Sequence, residues 1–581
     1  MKNNVFLTAE LYIQKSGTRL LGVYADEFFL LLNTNKKLCF NQFVSSLLKS
    51  FPKTVIYVYF HNLSIQEGWF LINKLFESSL NFTPLLRDNK FYQIKIEIKN
   101  RLIFIRDSYL HLAYSFDNLL DLFDVTLMGI ESTFEKDYFI VYGLDYFKLK
   151  INLILFSKVI KRYNSLLYNL FGFHIGNSLT LPSLAYKIFS RNFYNYNWEI
   201  LTLNYEFDFR NSFFGGINEV YIPYGEDLVF LDVNSLYPSV MRKNKFGVGK
   251  PLLKFFNYCT DDFESFVEKH EGFVFCRIKC KNLHKPLIVT NYNNIQIQPL
   301  GDFFSWVSTA EIRYCWENYF DNYKFFPVKG YFYTNYEFIF QKYVDRLFFY
   351  KGQANHYNKK LIVIFKKLMN ALYGRLGIKS KPREILVTSV SEWFSWLSRK
   401  INVYFYNLEE VNNFLIIEKD FEKKIGKPRF NSRVDWASLI SSLARVEMQK
   451  MLDQVNVFYI DVDMIVISKK DLYLLNSSIG KKLGNLKIEG CWDEGIFLEP
   501  KIYALRKVDY YFISIKGDIF KGSGNDLKLL FLDFKCFLKD DLKENSSLFL
   551  LLQKKNIKLN YCSRNKIYSE NVWSSTSPLW F

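Results

Sequence analysis

Two acidic residues, Asp461 and Asp463, stand in the middle of the apolar run NVFYIDVDMIVIS. The β-branched and aromatic residues of this run predict a single strand, in which residues i and i+2 point to the same face of a sheet. The two carboxylates would then project side by side and repel each other, and a bound divalent cation would offset that repulsion. An Asp-x-Asp pair also arises by chance in a chain of this length, so the interpretation needs support from other segments.

A third acid, Asp232, ends the apolar strand predicted within EDLVFLDVNSLYPSVM, residues 226–241. Pro238 follows at a position where it could open a helix. A carboxylate at the end of a strand, followed by exposed backbone amides, can hold a metal ion and a phosphate together. The same residues are equally compatible with a plain strand followed by a capped helix.

A cation, an amide and an aromatic ring share one face of the helix predicted in KKLIVIFKKLMNALYGRLG, residues 359–377. Lys366, Asn370 and Tyr373 are spaced at i, i+4 and i+7, and Gly374 and Gly377 are expected to end the helical pattern. This face suits a ligand that carries both phosphate and base. A solvated amphipathic helix is the alternative interpretation.

Length and charge limit the classes of protein that these segments can belong to. A chain of 581 residues is too long for one compact core and predicts several domains. Its 76 Lys and Arg residues exceed its 58 Asp and Glu residues, and the net charge of +18 favours a polyanionic partner, either nucleic acid or an acidic membrane surface. The first residues lack the pattern of a signal peptide, and the eight cysteines lack zinc-type spacing.

Taken in order, the three segments resemble the polymerase motifs of family B DNA polymerases. DVNSLYPSVM resembles the first motif, KKLMNALYG the second, and YIDVDM the third, in which Val462 and Met464 replace the usual Thr and Ser. The closest subgroup is the protein-primed one, found in phages and in linear plasmids of fungal and plant mitochondria. NSFFGGINEVY resembles its Tyr-x-Gly-Gly loop, with Phe213 in place of Tyr, and FLEPKIYAL resembles its Lys-x-Tyr motif.

This resemblance implies an α/β (α+β) multidomain fold, in which a ribonuclease H-like exonuclease domain precedes a right-hand polymerase domain with palm, fingers and thumb. The expected ranges are 1–180 for the exonuclease-like domain, 181–251 for the first part of the palm, 252–345 for a first insertion, 346–379 for the fingers, 380–430 for a second insertion, 431–530 for the second part of the palm and 531–581 for the thumb. In the family, the two insertions contact the terminal protein and encircle the DNA.

The resemblance also implies a role for each residue of the site. The expected catalytic residues are Asp232, Asp461 and Asp463. Together with the backbone carbonyl of Val233, they would hold two Mg²⁺ ions, for which Mn²⁺ could substitute. The expected nucleotide-binding residues are Tyr237, Lys366, Asn370 and Tyr373, with Tyr237 under the sugar to exclude a 2′-hydroxyl. The expected DNA-binding residues are Gly215, Gly216, Lys501 and Tyr503.

The exonuclease motifs are expected to be degenerate. The positions that align with them are Thr8, Glu10, Glu67, Tyr146 and Lys150. Thr8 removes one negative charge from the metal site, and Lys150 would place an ammonium near the position of a cation. The domain is therefore expected to lack 3′–5′ exonuclease activity. A shifted alignment would instead bring Asp26 or Asp145 into the site.

These features together predict a DNA-directed DNA polymerase that extends DNA from dNTPs by two-metal phosphoryl transfer, in the protein-primed replication of a linear plasmid or a phage-like element. The expected partners are template-primer DNA, dNTPs and a terminal protein, which is expected on a separate chain because the exonuclease-like segment begins almost at residue 1; no membrane partner is expected. The expected location is the mitochondrion, or the host cytoplasm for a phage-like element. The alternative is a degenerate, non-catalytic polymerase-like DNA-binding protein.

Overall fold

The computed structural model of the chain divides into two compact units. The first comprises Met1–Asn192, Leu347–Leu372 and Ser380–Lys427, and the second comprises Phe193–Arg346, Tyr373–Lys379 and Pro428–Phe581. The structure describes residues 4–14, 19–26, 28–34, 39–52, 55–63, 67–78, 80–87, 90–98, 100–126, 136–196, 201, 203–257, 262–357, 361–378, 383–389, 405–411, 414–420, 432–539, 541–542, 546–557, 559 and 563–581. Within these ranges, no helix is long and apolar enough to cross a membrane.

A seven-stranded mixed sheet, in the order β3-β2-β1-β4-β7-β6-β5, forms the core of the first unit. The pairs β1–β4 and β4–β7 are parallel and the other neighbours are antiparallel. The strands are β1 (Asn4–Ile13), β2 (Arg19–Ala25), β3 (Phe28–Asn33), β4 (Val55–Phe60), β5 (Phe82–Arg87), β6 (Lys90–Ile98) and β7 (Arg101–Asp107). The helices of this part are Cys39–Ser50, Glu67–Glu77, Phe116–Leu122, Lys136–Phe171 and Leu181–Asn192.

The helix Cys39–Ser50 shows how sequence and packing agree in this unit. Phe43 and Leu47 are one helical turn apart and both are fully buried against the sheet, where they join Val58 of β4 in one apolar cluster. This helix connects β3 to β4, and such a crossover is what allows β4 to run parallel to β1. The carboxyl ends of β1, β4 and β7 therefore meet at one edge of the sheet.

Two helices contribute residues to both units, Gln341–Tyr357 and Ile362–Leu376. A three-stranded sheet in the order β18-β20-β19 also belongs to the first unit, with β18 (Arg383–Ser389), β19 (Phe405–Val411) and β20 (Phe414–Asp420). It falls within the range predicted as the second insertion, of which residues 380–382, 390–404, 412–413 and 421–430 lie outside the described residues.

An antiparallel sheet of eight strands, in the order β26-β25-β24-β23-β9-β22-β21-β8, forms the centre of the second unit. Its strands are β8 (Asn218–Val220), β9 (Tyr224–Val233), β21 (Val457–Asp461), β22 (Met464–Ser468), β23 (Leu486–Glu499), β24 (Ile502–Lys507), β25 (Tyr510–Ile515) and β26 (Asp518–Gly522). One face packs on the helices Leu236–Lys243 and Val434–Leu452. The other face packs on the helices Asn525–Leu538 and Ser547–Lys554.

A second, smaller sheet of this unit lies in the range predicted as the first insertion. Its order is β11-β16-β12-β15, and its strands are β11 (Leu252–Phe255), β12 (Gly272–Cys280), β15 (Gly301–Ser308) and β16 (Tyr323–Phe332). The helices that accompany it are Phe263–Lys269, Thr309–Asn318 and Leu203–Asn211. The two-stranded pairs are β10 (Phe246–Val248) with β17 (Asn335–Glu337), β13 (Thr290–Tyr292) with β14 (Ile295–Ile297), and β27 (Arg564–Ser569) with β28 (Val572–Pro578).

Candidate active site

The run that carries Asp461 and Asp463 is a hairpin, and the prediction of a single strand was wrong. β21 ends at Asp461 and β22 begins at Met464, which stands opposite Asp461. The amide of Asp463 donates to the carbonyl oxygen of Asp461 at 2.7 Å, and Val462 between them has a φ of 58°. These features define a γ-turn with positive φ at its centre, a strained conformation for a β-branched residue. The two acids therefore flank a turn instead of standing side by side on a strand.

Asp232 and Asp461 lie in one cross-strand row of the large sheet. Met464 of β22 stands opposite Asp461 of β21 and also opposite Asp232 of β9. Directly opposite residues of antiparallel strands point to the same face, so the three side chains share a face. Because neighbouring strands are about 4.8 Å apart, the Cα atoms of the two acids are separated by about 10 Å. This row brings acids from two distant chain segments to one end of the sheet.

Asp463 is tied to the strand of Asp232 through the backbone. The amide of Val233 donates to the carbonyl oxygen of Asp463 at 2.8 Å. Burial first, then the Tyr373 phenol and the charge of Asp463, raise the pKa of the Tyr237 phenol well above its usual value. Asp463 therefore lies within electrostatic range of Tyr237, one of the predicted nucleotide-binding residues.

Asp461 faces the segment that resembles the Lys-x-Tyr motif. Burial raises the pKa of Asp461 above its usual value, and the ammonium of Lys501 and a hydrogen bond from Tyr459 oppose that rise. The amide of Lys501 donates to the hydroxyl oxygen of Tyr459 at 2.8 Å. Burial and the charge of Asp461 also raise the pKa of Tyr503. The structure thus brings both residues of this predicted DNA-binding motif to Asp461.

Tyr237 and Tyr373 stack on each other with 4.0 Å between ring centroids and 16° between ring planes. Tyr237 belongs to the helix Leu236–Lys243, and Tyr373 belongs to the helix Ile362–Leu376. The second helix continues through Gly374 and ends at Leu376, directly before Gly377, so the prediction was wrong for Gly374 and is confirmed for Gly377.

Lys366 and Asn370 are exposed on the helix Ile362–Leu376, in the part of it that belongs to the first unit. Their spacing of four residues places them on one face of this helix, and Tyr373 follows on the same face one turn later. The predicted grouping of a cation, an amide and an aromatic ring along one helix face is therefore present in the structure.

The two glycines of the predicted DNA-binding loop differ in their surroundings. A Cβ on Gly216 would lie 2.7 Å from Cγ1 of Val462, so only glycine lets this backbone pack on the γ-turn. The amide of Val462 also donates to the carbonyl oxygen of Ile217 at 2.8 Å. The amide of Gly215 donates to Oε1 of Gln296 at 2.7 Å. The loop is thus attached to the turn between the two acids and to the hairpin β13–β14.

Arg445 is a buried residue of this site that the sequence analysis did not identify. Its guanidinium donates to the carbonyl oxygens of Phe214 at 3.1 Å and Gly215 at 2.9 Å. It also forms an ion pair with Glu311 at 2.7 Å, and the two side chains are only 2% and 3% exposed. No local pattern signals this pair, because the partners come from separate helices that are distant in the chain.

The acids of the site have the chemistry of ligands for a hard cation. In the described part of the chain, no three His, Cys, Asp or Glu side chains are grouped closely enough to hold one metal ion. Mg²⁺, however, usually takes only one or two protein carboxylates and completes its shell with water and phosphate oxygens. The half-buried Asp461, whose pKa is raised by partial burial, would be stabilised in its charged form by such an ion. The donor set therefore fits a site that substrate completes.

A second acidic cluster lies where the carboxyl ends of β1, β4 and β7 meet. Burial raises the pKa of Glu10 to about 7, against a hydrogen bond from Asn152. Burial, followed by the charges of Glu10 and Asp107, raises the pKa of Glu67 to about 8. Asp107, the last residue of β7, was not named in the sequence analysis, yet its charge reaches this cluster.

The other degenerate exonuclease positions point elsewhere or make internal bonds. The hydroxyl of the buried Thr8 donates to the carbonyl oxygen of Leu153 at 3.1 Å. The ammonium of Lys150 donates to the hydroxyl of Tyr146 at 3.2 Å and lies 5.1 Å from the ring centroid of Phe29, on β3. Lys150 therefore packs against aromatic rings of the sheet.

The two acids of the shifted alignment are engaged in other contacts. Asp145 accepts hydrogen bonds from the hydroxyl of Tyr12 at 2.9 Å and from the side-chain Nε2 of Gln14 at 3.2 Å. Asp26 forms a solvent-exposed ion pair with Lys161. Neither contact involves Glu10 or Glu67.

An antiparallel sheet that gathers acids from two chain segments at one end, with tyrosines stacked beside them, defines the class of nucleic-acid polymerases that have a palm. Residues 130–457 match the family described as DNA polymerase type B, organellar and viral. Because this range exceeds half of the 581 residues, the chain belongs to that family. The predicted family assignment is confirmed.

Two fungal relatives illustrate the similarity. The chain is 27% identical to a "Probable DNA polymerase" of Podospora anserina over 486 residues, which cover 74% of this chain and 38% of that protein. It is also 27% identical to a "Probable DNA polymerase" of Neurospora intermedia over 527 residues, which cover 80% of this chain and 52% of that protein. The chain thus spans between 38% and 52% of the length of these two relatives.

Solved structures of Phi29 DNA polymerase share the fold. Its complex with primer-template DNA and incoming nucleotide substrates matches with a TM-score of 0.64 and 17% identity over 90% of each chain. Its orthorhombic crystal form matches with a TM-score of 0.62 and 15% identity over 99% of each chain. The predicted α/β (α+β) multidomain fold, with an exonuclease domain and a palm, fingers and thumb, is confirmed. The limits of the individual domains stay predictions.

Proposed function

We propose that this chain is a DNA-directed DNA polymerase that extends a primer on template DNA from dNTPs. The observation that carries the proposal is the cross-strand row of Asp232, Met464 and Asp461, together with the backbone bond from Val233 to Asp463. Family membership and the names of the fungal relatives support the same activity. The alternative, a non-catalytic DNA-binding protein, would keep the fold, but DNA binding alone does not require this arrangement of acids.

The acids would serve phosphoryl transfer, in which a primer hydroxyl attacks the α-phosphate and pyrophosphate leaves. Asp232, Asp461, Asp463 and the carbonyl of Val233 would hold two Mg²⁺ ions, or Mn²⁺, which when bound neutralise charge on the attacking and leaving oxygens. Asp461, with Lys501 beside it, would place the end of the primer strand. Tyr503, on the same side as Asp461, would contact the same strand.

The stacked pair of Tyr237 and Tyr373 would form the floor of the nucleotide site. Tyr237 would lie under the incoming sugar and exclude a 2′-hydroxyl, since its ring is fixed by the 4.0 Å stack on Tyr373. Lys366 would neutralise the triphosphate, and Asn370 would contact the new base pair. Gly215 and Gly216 would position the template strand through the loop that holds the γ-turn.

We infer that the exonuclease-like domain is inactive at neutral pH. A metal ligand must be deprotonated, and burial raises the pKa of Glu10 to about 7 and that of Glu67 to about 8, so at pH 7 about half of Glu10 and most of Glu67 hold a proton that a bound ion would have to displace. The hydroxyl of Thr8, at the position of the first expected acid, is occupied by the carbonyl of Leu153.

We also propose protein-primed replication of an organellar linear plasmid or a phage-like element. The organellar and viral family, the fungal relatives and the Phi29-type fold support this setting. The mitochondrion is the proposed location, with the host cytoplasm as the alternative for a phage-like element. A terminal protein on a separate chain stays a prediction.

Primer extension with purified Asp463→Asn tests the proposed activity. The substitution keeps the shape of the side chain but removes its charge, so nucleotide incorporation with Mg²⁺ should fall by at least about 100-fold, as expected for a lost metal ligand. Asp509→Asn is the matched control, because Asp509 is an exposed acid of the same unit outside the site. Incorporation by Asp463→Asn at the parent rate would reject the assignment of this residue. A parent protein that binds primer-template without extending it would support the non-catalytic alternative.

A further inference from the structure

The sheet formed by β11, β12, β15 and β16 has one covered face and a second face that is covered only at one end, where Phe209 of the helix Leu203–Asn211 packs on Phe273 and Tyr331. The covered face carries the apolar cluster of Val274, Cys276 and Ile278, which packs with residues of the helices Phe263–Lys269 and Thr309–Asn318. Alternate residues of the same strands point the other way. We call this second surface the open face, and its members used below are Phe255, Arg277, Lys279, Asp302, Phe304, Lys324 and Phe326.

Cations and aromatic rings alternate across the open face. Arg277 of β12 stands between Phe304 of β15 and Phe326 of β16. In the next row, Lys279 stands between Asp302 and Lys324. Directly opposite side chains on antiparallel strands lie side by side, so the rings and the cations form one continuous surface.

Two rings of the open face remain accessible in the folded chain. Phe255 is 68% exposed and Phe304 is 53% exposed. Arg277, directly beside Phe304, is oriented by Asp302, which accepts from its Nε at 2.8 Å and from its Nη2 at 2.6 Å. A fixed guanidinium next to an exposed ring is suited to contact a planar, negatively charged ligand.

A cavity of about 440 Å³ lies at the edge of the open face. Lys279, Lys281 and Lys324 contribute ammonium groups to its lining, Asp302 and Asp321 contribute carboxylates, and Trp580, which is 67% exposed, contributes an indole ring. A volume of this size accommodates a small ligand. The ammonium groups outnumber the carboxylates by one, and with the indole ring they suit a phosphate and a base.

We propose that the open face and this cavity bind single-stranded nucleic acid at a site separate from the polymerase site. Unpaired bases can stack on Phe255, Phe304 and Trp580, while phosphates pair with the intervening cations. Duplex DNA offers only its phosphates to such a flat aromatic surface, so an unpaired strand is preferred. Phe255 and Phe304 are three strand spacings apart across the sheet and two residues apart along it, about 16 Å, which a segment of a few nucleotides spans.

Binding of single-stranded DNA to protein whose polymerase site is already occupied tests this site. The full chain is first saturated with a hairpin primer-template whose 3′ end is a dideoxynucleotide, which occupies the polymerase site. A fluorescent oligo-dT is then titrated and its anisotropy recorded. The loaded protein should bind the oligo-dT, and it should bind a blunt duplex of the same length more weakly. Phe255→Ala and Phe304→Ala should each weaken the affinity for oligo-dT by about 5-fold to 150-fold, the range for loss of one base–aromatic stack.

Phe320→Ala is the matched control, because Phe320 is 72% exposed in the same unit but lies outside the open face. It should leave oligo-dT affinity unchanged, and all three variants should extend a short primer-template at the parent rate. Three results would overturn the proposal: no oligo-dT binding by the loaded protein, equal binding of duplex, or equal weakening by Phe320→Ala. Unchanged oligo-dT binding, with self-association or binding of an added protein lost in Phe255→Ala, would identify a protein interface instead.

Discussion

Gly216→Ala tests the packing that holds the turn between Asp461 and Asp463. The new methyl carbon would lie 2.7 Å from Cγ1 of Val462 and 3.1 Å from its Cβ and Cγ2, which is closer than unstrained carbon atoms approach. Since Val462 is the central residue of the γ-turn, relief of this overlap must move the turn or the glycine loop. The acids on both sides of Val462 would move with it.

The size of the effect follows from the overlap. Extra carbon atoms in a well-packed region typically cost about 1–3 kcal/mol. If that cost falls on the arrangement required for reaction, at about 1.4 kcal/mol per tenfold change, nucleotide incorporation drops by about 5-fold to 150-fold. Gly524→Ala is the control, because Gly524 belongs to the same unit, lies outside the site, and its Cβ would meet no atom within 4 Å. It should change the rate by less than about 2-fold.

The assay is single-nucleotide incorporation under single-turnover conditions, with primer-template affinity measured in parallel. Gly216→Ala should lower the incorporation rate, while the Kd for DNA stays near that of the parent. Val462→Ala removes Cγ1 and Cγ2, so the double variant should recover much of the loss beyond the effect of Val462→Ala alone. A double variant without recovery would contradict the role of the contact between Gly216 and Val462. A Gly216→Ala variant that loses DNA affinity at an unchanged rate would also contradict it, and would leave contact with the template strand as the role of Gly216.

Two further predictions concern stability and the acidic cluster of the first unit. Glu311→Ala leaves the guanidinium of Arg445 buried without its ion-pair partner and should destabilise the second unit by about 3–5 kcal/mol, seen as a lower Tm; Glu317→Ala, an exposed acid on the same helix, should leave the Tm unchanged. Labelled single-stranded DNA with Mg²⁺ and no dNTPs should stay intact at pH 7. The pKa values of Glu10 and Glu67 are raised, so both groups release their protons only as pH rises through about 7 to 8. Stepwise 3′ shortening of the DNA at pH 7 that is abolished by Glu67→Ala would contradict the inferred loss of exonuclease activity.

The convergence of the acids could be predicted from the sequence, whereas the turn between two of them could not. Asp232 stands at the end of an apolar strand and the later acids stand in another, and the resemblance to the polymerase motifs implied that the two segments hold the same ions on neighbouring strands. The turn was missed because Val462 is β-branched and the surrounding run has no glycine or Asn-Gly turn signal. The residues of this run favour a strand even at Val462, where the chain reverses direction.

Buried partners from distant segments were invisible to the sequence analysis. Arg445 and Glu311 are separated by more than a hundred residues, and no periodicity relates them. Asp107 is a different case, because RLIFIRD has the same pattern as LVFLD, an apolar strand that ends in an acid. The signal that identified Asp232 would have identified Asp107 as well, had it been applied to every strand.

The two departures from the third motif have a common explanation in the packing of the hairpin. The side chain of Val462 contacts the backbone of Gly216 through its methyl carbons, so this contact uses no hydroxyl. Met464 lies between Asp461 and Asp232 in the cross-strand row and packs against the apolar cluster that contains Tyr459. Apolar side chains at both positions therefore strengthen the attachment of the turn to its surroundings. In the proposed mechanism the carboxylates and Lys501 would place the primer end, and so the rate should depend on the position of the turn more than on any hydroxyl within it.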